Sequence, residues 1–201
     1  MRREYQAIIE VLITLSTLAC VSHQADLKVR WSLDPNFGAR FEVPANWLMD
    51  VPTDCRHNGI CSLYIRPSNY KAEVQESEHS LPPYVIEVKI MHYSYERILY
   101  EQAFENESSG WVFHGGRMGE GGEVRKIAGK GWEGLQASGN AGVYMKEGGY
   151  YGYGGEFYLS VITNSRGWCA IITLHDISYK NTYDRLLKTW KFARFTYDTD
   201  K

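Results

Sequence analysis

The sequence lacks the patterns that identify several large classes of protein. No block of like charges stands out, and 22 basic against 24 acidic residues give a net charge of −2, which argues against a nucleic-acid-binding surface. There is no Gly-x-Ser-x-Gly elbow, no His-Glu-x-x-His pair and no phosphate loop ending in Gly-Lys-Ser/Thr. The six histidines include no close pair suited to a metal ion. We therefore expect no catalysis, cofactor, metal site or nucleic-acid partner.

One sequence feature leaves a small hydrolase open as an alternative. His175 and Asp176 stand at the end of a predicted strand, where they could act as a base and its orienting carboxylate. Adjacent residues on a strand point to opposite faces of the sheet, so these two side chains are not expected to touch. A catalytic triad would then have to be assembled from residues distant in the sequence.

Long apolar runs are also missing. The longest one near the start, residues 11–21, follows Arg2 and Arg3 and is followed by small residues at Ala19, Ser22 and Ala25. This is the three-part pattern of a secretory signal peptide, and the apolar run is shorter than the roughly 20 residues that span a bilayer. We predict a signal peptide over residues 1–25, a single domain over 26–201, and a periplasmic or outer-membrane-attached protein. An ordinary amphipathic first helix is the alternative.

Cysteine is scarce, at four residues, and each position has its own interpretation. Thr17-Leu18-Ala19-Cys20 resembles the lipobox of bacterial lipoproteins, although Thr17 stands where leucine is usual, and in such proteins Cys20 would carry the lipid. Cleavage after Ala19, Ser22 or Ala25 is the alternative, and it would leave Cys20 removed or at a frayed terminus. Cys169 lies in an apolar strand, which predicts a buried thiol.

The two remaining cysteines bracket a turn. Between Cys55 and Cys61 lies Arg56-His57-Asn58-Gly59-Ile60, and Asn-Gly is a strong turn signal because glycine adopts positive φ without steric cost. A three-residue loop with Gly59 left-handed places Cys55 opposite Cys61, whereas a two-residue loop does not. We therefore predict a cross-strand disulfide between them, which should stabilise the fold by roughly 2 kcal/mol.

Strand patterns dominate the rest of the chain, with two helices among them. The predicted order is a strand at 40–43, a turn containing Trp47, the cysteine hairpin, a long loop at 67–83, a strand at 84–93, a helix capped by Ser94 and ending near Glu105, two strands within 124–144 joined around Ser138-Gly139-Asn140, strands at 157–163 and 168–175, and a helix at 181–193. This order indicates an α+β fold: an antiparallel twisted sheet with an internal helix and a C-terminal helix packed on it.

Two glycine-rich segments are the candidate binding elements. Residues 115–122 predict a mobile loop, and residues 147–156 alternate glycine with Tyr150, Tyr151 and Tyr153. Tyrosine offers a large contact area and few rotors to immobilise, so we expect these three to bind a protein partner. A strand whose tyrosines only cover a sheet edge is the alternative. Acidic side chains in or beside these segments either face a basic partner or simply aid solubility: Glu120, Glu123, Glu147 and Glu156.

The overall pattern resembles the PsbP-like family, named after an extrinsic protein of photosystem II. The resemblance lies in Phe41-Glu42-Val43-Pro44-Ala45-Asn46-Trp47 and in the final hairpin, helix and short Phe-containing strand over residues 158–175 and 186–195. It implies the fold but no active site. Exported bacterial members include immunity proteins that neutralise toxins delivered by neighbouring cells, as in type VI secretion. The expectation is thus a protein-binding immunity protein; an accessory or structural envelope lipoprotein is the alternative, and the oligomeric state stays open.

Overall fold

A computed structural model describes residues 29–31, 38–50, 60–71, 84–115, 120–144 and 150–193; at 29–31, 120, 141–144 and 150–154 it describes the backbone alone. The predicted signal peptide, with Cys20, lies outside these residues. The strands are β1 (Val29–Trp31), β2 (Ala39–Glu42), β3 (Trp47–Asp50), β4 (Ile60–Pro67), β5 (Ile86–His92), β6 (Phe104–Glu107), β7 (Gly110–Phe113), β8 (Glu120–Gly129), β9 (Trp132–Tyr144), β10 (Tyr150–Thr163), β11 (Trp168–Leu174) and β12 (Lys191–Phe192). The helices are α1 (Tyr95–Glu101) and α2 (Lys180–Thr189), and a 3₁₀ turn at Ile177–Tyr179 leads into α2.

The strands form one large sheet and two small ones. Seven of them make a sheet in the order β3-β4-β5-β11-β10-β9-β8, and every neighbouring pair in it is antiparallel. Strands β1, β2 and β12 form a three-stranded sheet, and β6 and β7 form a hairpin. The predicted α+β class, with an antiparallel sheet, an internal helix and a C-terminal helix, is confirmed.

Helix α2 and the three-stranded sheet of β1, β2 and β12 cover one face of the large sheet. Alternate positions of β4, β5 and β11 are apolar, and period-two spacing puts them all on this face. They pack against Tyr183, Leu186 and Leu187 of α2, as predicted. The strand residues buried in this layer are Leu63, Ile65, Ile86, Val88, Ile90, Ala170, Ile172 and Leu174.

The opposite face is covered by α1 and the β6–β7 hairpin. Ile98 and Leu99 of α1 and Phe104 and Phe113 of the hairpin are buried there. They contact the other set of alternating side chains: Met91, Leu135, Ala137, Leu159, Val161, Cys169 and Ile171. Because β10 and β11 are covered on both faces, their sequences read as nearly continuous apolar runs.

A buried hydrogen-bond network lies between α2 and the sheet. The hydroxyl of Tyr183 is 2.7 Å from Ser160 Oγ and 3.0 Å from the carbonyl oxygen of Ile172. Gln136 donates to Ser160 Oγ at 3.0 Å and accepts from Arg125 at 2.8 Å. The network therefore satisfies the polar atoms that α2 covers, as buried polar groups require.

Both helices end earlier than the sequence predicts. Ser94 caps α1 as expected, accepting a hydrogen bond from the amide of Arg97. The helix then ends at Glu101 rather than near Glu105, because Ala103 has φ +61 and Phe104 begins β6. Helix α2 ends at Thr189 instead of 193, since Trp190 has extended backbone angles.

Trp190, which directly follows α2, packs into the core on the α2 side of the sheet. Its ring stacks on Phe41 of β2 at 5.4 Å, with an interplanar angle of 4°. Its carbonyl oxygen accepts a hydrogen bond of 3.1 Å from the indole of Trp132. The next two residues form β12, which pairs with β2 through Lys191 opposite Arg40 and Phe192 opposite Ala39.

Two turn predictions were wrong. Ser138-Gly139-Asn140 lies within β9; the turn between β8 and β9 is Lys130-Gly131, where Gly131 has φ +82 and Gly129 pairs with Trp132. Gly139 instead sits opposite both Gly121 and Phe157 within the sheet. Trp47, predicted in a turn, is the buried first residue of β3. Pairing with both neighbouring strands outweighs the local turn preference at Gly139, and burial of the indole outweighs it at Trp47.

The glycine-rich segment at 115–122 is only partly outside the strands. Residues 116–119 are not described, but Glu120, Gly121 and Gly122 belong to β8, so the predicted loop was too long. A Cβ on Gly121 would lie 1.7 Å from the carbonyl oxygen of Phe113. Glycine is needed here for the close approach of β7 to β8 and not for mobility.

Candidate partner-binding ribbon and polar face

The long hairpin of β9 and β10 extends beyond its neighbours. Pairing of β11 with β10 begins at Tyr158, and pairing of β8 with β9 ends at Asn140. Residues 142–144 and 150–152 pair with each other, and in the described chain no other strand pairs with them. These residues form a two-stranded ribbon that projects from the sheet, which we call the tyrosine ribbon.

Register shifts mark the base of the tyrosine ribbon. One lies in β10 between Gly152 and Glu156, where Gly155 has φ +96, and the other lies in β8 between Gly121 and Val124. The β10 shift lies on one side of the Asn140 row and the β8 shift on the other, and in that row Asn140 is opposite both Glu120 and Glu156. Bulges of this kind bend and twist a strand, so the ribbon has its own direction relative to the sheet.

The predicted partner-binding residues fall in this region. Tyr150 is opposite Tyr144 and Tyr151 is opposite Val143, whereas Tyr153 lies inside the register shift. Tyr150 to Glu156 are therefore part of strand β10, which agrees with the strand that the sequence left open as an alternative for this segment, and their partner-binding role stays a prediction. The side chain of Glu156 is exposed, as is that of Glu123 in β8. Glu147 lies outside the described residues.

A polar patch on the large sheet was not foreseen. On β4 and β5, most side chains opposite to the α2 face are polar and half-buried, and the buried Met91 is an exception. The ring of Tyr84 lies 4.4 Å from that of Tyr64 and 5.3 Å, edge-on, from that of His175. Glu87 is 3.0 Å from Lys89 Nζ and 3.9 Å from His175 Nε2. The sequence feature that could have predicted this patch is the pair Glu87 and Lys89, at alternate positions of an otherwise largely apolar strand.

The charges of this patch stabilise one another. Burial by itself would raise the pKa of Glu87, but His175 and Lys89 more than offset it, so the pKa lies below its ordinary value. The distance of 3.9 Å to His175 exceeds a hydrogen bond, so we attribute the effect of His175 to its charge. Burial, followed by the charge of Glu87, raises the pKa of Tyr84. The patch therefore holds the ion pair of Glu87 and Lys89 on a half-buried face of the sheet.

His175 and Asp176, considered above as a base and its orienting carboxylate, point to different surroundings, as expected. His175 faces Tyr84 and Glu87, and its Nε2 is buried without a hydrogen-bond partner. Asp176 instead caps the 3₁₀ turn, accepting hydrogen bonds from the amide and the hydroxyl of Ser178 at 3.0 and 2.6 Å. The two residues therefore do not form a catalytic pair with each other.

Three further ligand-type side chains meet on the β6–β7 hairpin. Nε2 of His114 is 3.3 Å from Glu105 Oε2 and 3.9 Å from Glu107 Oε1. All three side chains are exposed. Sequence reasoning searched for paired histidines and missed this group, whose members are brought together only by the hairpin.

The cysteines are only partly described. Cys61 lies on β4 and is not a free thiol; Cys55 lies outside the described residues, so their pairing stays a prediction. A regular hairpin with the predicted three-residue loop at residues 57–59 would place Asp50 opposite Arg66. The structure pairs Asp50 with Tyr64, so the register of β3 and β4 is two residues away from that of such a hairpin. Cys169 is a buried free thiol, as predicted, and burial raises its pKa.

Comparisons with known proteins give a likeness of fold. No family model matches the chain, and no curated protein matches it. The structure is similar to the solution structure of cyanobacterial PsbP from Synechocystis sp. PCC 6803, with 14% identity over 86% of this chain and 95% of that one and a TM-score of 0.46. This is the family that the sequence pattern resembles, and at this identity the likeness is restricted to the fold. Within the described residues no helix is long and apolar enough to cross a membrane.

Proposed function

We propose that this chain is an exported, non-catalytic protein-binding module and that the tyrosine ribbon is its contact surface. The observation that carries the proposal is that residues 142–144 and 150–152 pair with each other beyond the last pairs that the described parts of β8 and β11 form with this hairpin. A two-stranded element of this kind has outer backbone edges that the described neighbouring strands do not pair with. Such an element can enter a cleft on another macromolecule.

The composition of the ribbon supports a protein partner. Tyr144, Tyr150 and Tyr151 lie within it, and Tyr153 lies at its base. Tyrosine combines apolar area with a hydroxyl group at a low cost in side-chain entropy, and glycine lets the backbone adapt. The row containing Glu120 and Glu156 at the base adds negative charge, which complements a basic partner and speeds association.

A secreted toxin is the partner that we infer. One way for an immunity protein to act is to block the toxin's active cleft, and a projecting ribbon with an acidic base suits a basic cleft. Delivery to the periplasm would follow from the signal peptide over residues 1–25, with attachment to the outer membrane if Cys20 is lipidated. A disulfide between Cys55 and Cys61 would fit that oxidising compartment.

The experiment replaces Tyr150, Tyr151 and Tyr153 together with serine. The matched control replaces two exposed tyrosines outside the ribbon, Tyr93 and Tyr100, which are 39% and 76% exposed. Both variants are used as bait in envelope extracts beside the unchanged protein, and each is melted. We expect the ribbon variant to lose the captured partner at an unchanged melting temperature, and the control to keep it.

Two results would count against the proposal. If the ribbon variant unfolds at a lower temperature, the tyrosines are part of the folded sheet, as in the alternative interpretation. If it folds and still captures the same partner, the contact surface lies elsewhere. Failure to protect cells when co-expressed with a candidate toxin would reject that toxin and favour the accessory-lipoprotein alternative.

A further inference from the structure

We propose that Glu105, Glu107 and His114 form a zinc-binding site on the β6–β7 hairpin. The site is independent of the tyrosine ribbon, and it revises the expectation, drawn from the spacing of the histidines, that the chain has no metal site. Imidazole nitrogen and carboxylate oxygen are both zinc ligands, and three protein donors would leave a fourth position of a tetrahedral ion open.

The hairpin brings the three donors together. Glu105 and Glu107 are two apart on β6, so they share a face, and that face is opposite the one on which Phe104 is buried. His114 follows β7 directly, and its amide donates a hydrogen bond of 3.0 Å to the carbonyl oxygen of Ala103. The ring pair Phe104–Phe113, at 5.0 Å, anchors both strands in the core.

One distance matches a tetrahedral ion and the others are longer. With bonds of about 2.0–2.2 Å to nitrogen and oxygen, the edge of a zinc tetrahedron is about 3.3–3.6 Å. Nε2 of His114 lies 3.3 Å from Glu105 Oε2 and 3.9 Å from Glu107 Oε1. All the ligand atoms lie within 4.8 Å of one another. The proposal therefore requires the exposed Glu107 side chain to move toward the other two donors when the ion binds.

The charges also favour a cation. Glu105 and Glu107 form no ion pair with a lysine or arginine among the described residues, and His114 is their partner there. Two neighbouring carboxylates repel each other unless a positive charge lies between them. A divalent ion would neutralise both, and its open positions would be available to water or to a side chain of another molecule.

The test is calorimetric titration of the full chain with zinc chloride in a buffer that does not bind metal. We expect saturable binding of one ion in the micromolar range, weakened about tenfold or more in His114→Ala, and less strongly weakened in Glu107→Gln. His92→Ala, on an exposed histidine far from the hairpin in sequence, is the matched control and should bind as the unchanged protein does. Circular dichroism checks that every variant is folded.

Several outcomes would overturn the site. Unchanged affinity in His114→Ala would place any bound zinc elsewhere. Saturation only at millimolar zinc would mean non-specific association with surface carboxylates. Tighter binding of calcium than of zinc would contradict the assignment of the metal, because a nitrogen donor favours zinc over calcium. The visible spectrum of tetrahedral Co²⁺, lost in His114→Ala, would provide independent support.

Discussion

Removing one buried hydroxyl group should measurably weaken the fold. Tyr183 is fully buried, and its hydroxyl lies 2.7 Å from Ser160 Oγ and 3.0 Å from the carbonyl oxygen of Ile172. In Tyr183→Phe both hydrogen bonds are lost while the ring stays in place. A buried hydrogen bond contributes about 1 kcal/mol net, and a partner left unsatisfied costs about 1–3 kcal/mol. We therefore expect the free energy of unfolding to fall by about 2 kcal/mol.

The assay is urea unfolding at 25 °C, supported by thermal melting. For a chain of this size, 2 kcal/mol corresponds to a decrease in melting temperature of about 4–8 °C. The control is Tyr100→Phe, which makes the same chemical change at a residue that is 76% exposed, and it should leave stability within about 0.5 kcal/mol. A double-mutant cycle with Ser160→Ala should give a coupling energy of about 1 kcal/mol. If Tyr183→Phe behaves like Tyr100→Phe, the network contributes nothing to stability.

The same residue predicts behaviour at high pH. Burial raises the pKa of the Tyr183 hydroxyl well above its ordinary value of 10.0. A group whose folded pKa is raised contributes its full stability below the unfolded value and loses it as the pH rises further. The contribution of Tyr183 to stability should therefore be constant below about pH 10 and decrease above it. In Tyr183→Phe the fall should be shallower, which unfolding measured at several alkaline pH values would reveal.

Three other changes test separate parts of the structure. The pKa of Glu87 is lowered in the fold, so its contribution to stability is present above the unfolded pKa of 4.5 and is lost as the pH falls. Glu87→Gln should therefore make the loss of stability at acid pH less steep. An unchanged decrease of stability at acid pH would contradict this. Gly134→Ala would place a Cβ 2.1 Å from the Val161 carbonyl oxygen and should lower the free energy of unfolding by about 3 kcal/mol or more. Gly131→Ala has open space around the new Cβ but φ +82, and it should lower the free energy of unfolding by about 1–2 kcal/mol. Equal urea midpoints for the two variants would refute this contrast. Cys169 is buried with a raised pKa, so it should react with a thiol reagent only after unfolding, and rapid labelling of the native protein would show that the site opens.

The regular elements could be predicted because their sequences carry a single dominant signal. Alternation along 84–93 and the apolar runs at 157–163 and 168–175 gave β5, the end of β10 and β11 correctly. Tyr183, Leu186 and Leu187 at helical spacing gave the buried face of α2. Each of these patterns reports burial, which is the largest favourable term in folding.

The errors fall where local preference and tertiary contact disagree. Ser138-Gly139-Asn140 has the composition of a turn, but Gly139 is opposite glycine and phenylalanine in adjacent strands. The segment that forms β6 is polar, and it becomes a strand because Phe104 and Phe113 bury their rings together. Likewise His175 and Glu87 are far apart in the sequence, and only the pairing of β5 with β11 brings their side chains close. A single sequence does not reveal such pairings.

The stacking of Trp190 on Phe41 has a consequence for synthesis. This contact joins residues from opposite ends of the described chain, and the pairing of β12 with β2 depends on the same two segments. A nascent polypeptide cannot complete that half of the interior until residue 190 has left the ribosome. Because contacts between such distant residues form slowly, the part of the core beneath α2 should be completed late, after synthesis of nearly the whole described chain.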